Sequence, residues 1–115
     1  MVEEEKEYKV KITQRGKKAY FDVLDYVFEY YSEDRAYEIA EELLDYPNTL
    51  KTLPNRGKLE LALSSRKEDY RYILYKRTQQ ATVKVVYYVD DITYRVYVTD
   101  FFPTEMNQSK IRTRS

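Results

Sequence analysis

The feature that most constrains this chain is a hydrophobic period that changes twice. From Tyr8 to Gln14 apolar and polar residues alternate, with Tyr8, Val10 and Ile12 against Lys9, Lys11 and Thr13. A period of two predicts a half-buried strand. Beyond Gly16 the period lengthens: Tyr20, Val23, Leu24, Val27, Phe28 and Tyr31 follow the helical spacing, with Asp22, Asp25 and Glu29 on the wet side. Ser32 then reads as an N-cap ahead of Glu33 and Asp34, which suit a helix N-terminus. Ala36, Ile39, Ala40, Leu43 and Leu44 carry a second stripe, and Pro47 stops it. The period returns to two in Leu59–Leu63, Thr82–Val89 and Ile92–Phe101, with a turn at Asp90-Asp91, and Tyr70–Tyr75 between them is rich in strand-forming residues. The expected order is β-α-α-β-β-β-β, an α+β two-layer domain in which a helical hairpin packs on a largely antiparallel sheet.

No linker or repeat divides the 115 residues, so one domain over 1–115 is expected, with an acidic head (1–7) and a tail (104–115) as flexible ends. Without cysteine or histidine there is no disulfide, thiol nucleophile, thiolate metal site or imidazole catalysis. Two glycines are too few for a phosphate-cradling loop. Neither a metal nor a cofactor is expected, and any chemistry falls to carboxylates, Lys, Arg, Tyr, Ser or Thr. No apolar run reaches the roughly 18 residues of a membrane span. An acidic N-terminus without an apolar stretch does not read as a signal peptide, and the cytoplasm is the expected compartment.

Twenty basic and twenty acidic side chains cancel overall but not locally. Residues 1–50 hold 7 basic and 13 acidic groups, a balance of −6, and residues 51–115 hold 13 and 7, a balance of +6. A basic surface built from the second half, facing an anionic partner, is one reading, and solvated chain ends are the other. Fourteen tyrosines sharpen the first. If Val83, Val85, Tyr87, Tyr94, Val96 and Val98 face the helices, the opposite face shows Lys84, Tyr88, Arg95 and Tyr97, joined by Arg71, Ile73 and Tyr75. Tyrosine and arginine are enriched at interfaces, and tyrosine also stacks on bases. That face, covered by nothing in the chain, is the expected binding surface. Strand propensity alone also recruits tyrosine.

The ordered landmarks are Tyr8-Lys9-Val10-Lys11-Ile12, the hairpin, Leu50-Lys51-Thr52-Leu53-Pro54-Asn55-Arg56-Gly57, Asp69-Tyr70-Arg71-Tyr72-Ile73-Leu74-Tyr75, and the pair Val83–Val89 and Arg95–Val98. In this order they resemble the RelE/ParE superfamily of toxins from type II toxin–antitoxin modules, also called plasmid stabilization proteins. The resemblance covers about residues 8–102. It implies a growth-inhibiting toxin neutralised by a cognate antitoxin that wraps an extended or helical segment over it. It also implies one of two targets: DNA gyrase, without nuclease chemistry, or translation, by mRNA cleavage in the ribosome. For a ribosome-dependent endoribonuclease, Arg71 and Lys84 match two basic positions, able to hold phosphate and stabilise a developing oxyanion. Tyr75, Tyr88, Arg95 and Tyr97 would form the binding face. The chain departs from the pattern after Val98, where Thr99-Asp100-Phe101-Phe102-Pro103-Thr104-Glu105 offers no arginine and no later Tyr or His. Glu105 or a sheet tyrosine would have to supply the general acid or base. A non-toxic module that docks a partner peptide remains a third reading.

Overall fold

A computed structural model describes residues 7–77 and 81–104. Glu3–Glu5 of the acidic head and Glu105, Lys110, Arg112 and Arg114 of the tail lie outside the described residues. The chain runs β1 (Lys9–Ile12), α1 (Gln14–Tyr30), α2 (Glu33–Asp45), a 3-10 turn (Tyr46–Lys51), β2 (Lys58–Leu59), a second 3-10 turn (Leu61–Leu63), β3 (Arg71–Lys76), β4 (Thr82–Asp90) and β5 (Arg95–Pro103). The five strands form one sheet in the order β1-β5-β4-β3-β2, in which β1 runs parallel to β5 and the other pairs are antiparallel. The two helices pack on one face, giving the expected α+β, two-layer arrangement.

Local chemistry accounts for the helix ends. The Thr13 hydroxyl accepts from the Gly16 amide at 3.0 Å, so α1 begins three residues before the expected Lys17. Gly16, expected to separate strand from helix, instead lies inside α1, buried against β5. A Cβ there would stand 2.5 Å from the Val98 carbonyl oxygen. The Ser32 hydroxyl accepts from the Arg35 amide at 3.3 Å, as an N-cap should. Pro47 falls in the first turn of the 3-10 segment that follows α2.

The main core lies between helices and sheet: Ala19, Tyr20, Val23 and Val27 from α1, Ala36, Ile39 and Leu43 from α2, and Ile73, Tyr75, Val83, Val85, Tyr87, Val96, Val98 and Phe101 from the strands. Three details differ from the sequence reading. Leu61–Leu63 is a 3-10 turn rather than a strand, because the Glu60 carboxylate turns back to accept from the Ala62 amide at 3.2 Å. Tyr94 is not a core-facing strand residue. It closes the β4–β5 turn at φ 56°, 40% exposed, with its ring 5.3 Å from Tyr8. The β4–β5 ladder contains a bulge: Val86 pairs with Asp100 and Tyr87 with Val98, leaving Thr99 as the extra residue. That one residue sends Phe101 into the helix-side core and Phe102 to the other face.

Candidate functional site

The register separates the two basic residues expected to cooperate. Arg71 pairs with Tyr87, and partners in register share a face, so Arg71 lies on the helix side of the sheet. Its guanidinium donates to the Gly57 carbonyl at 2.9 Å, while the Tyr87 hydroxyl accepts from the Gly57 amide at 3.0 Å. Together they clamp the connection between the Tyr46–Lys51 turn and β2. The free side of Arg71 borders a polar cleft of about 370 Å³, shared with Asn55, Glu68, Asp69 and Asp91. Burial pushes the Tyr87 phenol up from its ordinary value, opposed by its hydrogen bond to Gly57 and by nearby Arg71 and Arg56.

Lys84 stands on the opposite face. Its Nζ lies 2.8 Å from the Glu60 carboxylate and 4.3 Å from the centre of the Tyr72 ring. Both side chains are shielded, at 14% and 5% exposure. The cover is the 60–70 segment, which folds over this face and buries Leu63 with Val86 and Phe102, edged by Ala62, Tyr70 and Tyr72. The face expected to lie bare is therefore partly roofed, and Lys84 is an element of a small second core. Arg71 and Lys84 do not form a common site.

Tyr75 also differs from expectation. It pairs with Val83, is 8% exposed, and sits in the helix-side core, where its hydroxyl donates to the Glu42 carboxylate. Burial first, then Glu42, holds its phenol protonated well above the ordinary range. Ile73, expected on the open face, is buried beside it.

Tyr88, Arg95 and Tyr97 lie where the sequence reading put them. Tyr88 pairs with Tyr97, ring centres 5.2 Å apart and 28° from parallel, and Tyr70 meets Tyr88 edge-on at 5.4 Å. These half-buried rings form a row of three that starts at the edge of the 60–70 roof. Burial pushes the Tyr70 and Tyr88 phenols up from their ordinary value. Because β1 lies parallel to β5, Lys9 stands beside Arg95 and Lys11 beside Tyr97, both lysines exposed. Asp90 opposes Arg95, and hydrogen bonds from Thr93 hold its carboxyl below the usual range. The arrangement is an aromatic row with cations along one side, suited to stacking a planar group or seating an anionic chain. Sequence reasoning missed Tyr70, Lys9 and Lys11. The lysines were legible as the wet side of β1, but which strand β1 joins is a long-range fact.

Among the described residues no group of carboxylates is placed to hold a metal, and no helix is long and apolar enough to cross a membrane. Comparison with protein-family models, curated proteins and solved structures gave no significant match.

Proposed function

We propose that the chain is the toxin of a type II toxin–antitoxin module of the RelE/ParE kind, acting in the cytoplasm by binding, with DNA gyrase as target and a cognate antitoxin as neutralising partner. What supports the class is the set of ordered landmarks in residues 8–102, which fall on β1, the hairpin, the connection clamped by Arg71, and β3 to β5. The observation that carries the non-nucleolytic mechanism is the placement of Arg71 and Lys84 on opposite faces, each engaged by a protein partner. A nuclease needs its phosphate-holding and proton-moving groups around one reacting bond.

One observation favours the second reading, contact with ribosome-bound mRNA: the Tyr70–Tyr88–Tyr97 row flanked by Lys9, Lys11 and Arg95. The test is induction of the chain alone in a bacterial host, following growth, cell shape and amino-acid incorporation. Growth arrest with filamentation and continuing translation is the expected result. Rapid translation arrest would replace it with the ribosomal reading. Unimpaired growth with folded protein accumulating would sink both and leave a non-toxic docking module.

A further inference from the structure

The outer surface of the helical hairpin carries a feature that neither reading uses. Phe21, Leu24 and Phe28 follow one another at i, i+3 and i+7 on α1, and Tyr37, Ala40 and Leu44 do the same on α2. The Phe28 and Tyr37 rings meet edge-on at 5.0 Å, and the Tyr20 hydroxyl donates to the Ala40 carbonyl at 2.7 Å. The antiparallel register set by Phe28–Tyr37 carries Phe21 to the level of Leu44, so the two stripes border one shallow groove. Its walls stay wet: Phe21 is 61% exposed, Phe28 40%, Tyr37 57% and Leu44 49%. Isolated exposed apolar residues need no explanation, but a continuous apolar groove on a small protein does.

Charge says what fits there. From Phe21 to Asp45 the chain has nine carboxylates and one basic residue, Arg35, a balance of −8. Arg35 is already spent on Glu38 at 3.1 Å and on the Arg77 carbonyl at 3.0 Å. Asp25, Glu29 and Glu41 are exposed on the helices that form the groove, and among the described residues none makes an ion pair. A second copy docked groove to groove would bring these carboxylates against their equivalents, so self-pairing is opposed by charge. We propose that this groove docks an amphipathic helix from a partner protein, with an apolar ridge and lysine or arginine on its flanks. The proposal is independent of the growth-arrest reading.

The test uses a synthetic amphipathic peptide of leucine and lysine, beside the same peptide with glutamate at every lysine, titrated into isotope-labelled full-length chain and followed by amide shifts. The lysine peptide is expected to bind saturably, shifting amides of α1 and α2. Affinity should fall by at least about tenfold for the glutamate peptide, for Phe21→Ser with Leu44→Ser, and for Asp25→Lys with Glu41→Lys. All four substituted positions are exposed, so the fold survives them, which the amide spectra of the free variants verify. No saturable binding, equal binding of both peptides, or loss of binding through Tyr97→Ala but not through the hairpin variants would overturn the proposal. So would a free chain that is a dimer broken by Leu44→Ser.

Discussion

Lys84 shows why a basic side chain on a sheet is not by itself a functional group. Its ammonium and the Glu60 carboxylate are shielded together at 2.8 Å, so removing either leaves the other charge buried without compensation. Lys84→Met is expected to destabilise the fold by about 3 kcal/mol, and Lys84→Met with Glu60→Gln to recover at least half of that, since glutamine keeps the acceptor for the Ala62 amide. Urea denaturation of the cycle checks this, and a coupling energy near zero would remove Lys84 from the structural role. The consequence for function is direct: a phenotype of Lys84→Ala reports lost stability before lost chemistry. Tyr75 makes a pH prediction. Its native phenol holds its proton more tightly than the unfolded one, which titrates near 10.0. Between those two values the native state binds the extra proton, so stability falls as pH rises. Buried Tyr20 and Tyr87 act in the same direction. The unfolding free energy should therefore hold level to about pH 10 and decline above it, with a shallower decline in Tyr75→Phe. An identical alkaline limb in that variant would show that other tyrosines carry it.

At the scale of elements, α1 comes close to β5 at Gly16. In an ordinary exposed helix, glycine to alanine gains about 1 kcal/mol from helix propensity. Here the new methyl would meet the Val98 carbonyl oxygen at 2.5 Å and Ile12 at 2.9 Å, and the first of these is backbone that cannot swing aside. The steric term wins, and Gly16→Ala is expected to destabilise by about 2 kcal/mol or more, readable as a lower urea midpoint. A rise in stability would mean that α1 can ride outward from the sheet. The same scale shows what was legible in the sequence. Element order followed from periodicity, as did element types apart from the 3-10 turn at Leu61–Leu63, and both N-caps were written in the chain, Ser32 read as such and Thr13 passed over. Face assignment was legible only in part. Putting Arg71, Ile73 and Tyr75 on the open face overlooked Ile73, whose apolar side chain marks that parity of β3 as the core side. The bulge at Thr99 could not be read, because two adjacent phenylalanines, Phe101 and Phe102, fit either parity until β4 pairs with β5. The 60–70 roof was hidden for a related reason: its anchor, Glu60 on Lys84, joins residues 24 apart that no local pattern links.

At the scale of the molecule, zero net charge conceals two layers of opposite character. The hairpin is acidic, with a balance of −8 over residues 21–45, whereas β1 and β5 set Lys9, Lys11 and Arg95 along one side of the open sheet face. A field arranged in this way orients an anionic partner toward the sheet and a cationic one toward the helices, and salt weakens both. The open face can be tested without touching the core. Lys9 and Lys11 are exposed, on the strand side away from Val10 and Ile12, and neither makes an ion pair among the described residues. Lys9→Glu with Lys11→Glu shifts two charges at each position, taking the chain from zero to minus four. The melting temperature should move by no more than about 2 °C, since exposed substitutions away from buried features are nearly neutral. Growth arrest, if the aromatic row and its cations seat the target, should be lost while groove binding of the lysine peptide persists. Arrest that survives the reversal would place the toxic surface elsewhere, and the hairpin groove would then be the next face to alter. Loss of both activities together, with an unchanged melting temperature, would mean that the two layers do not act separately and that the long-range field, rather than either surface, governs recognition.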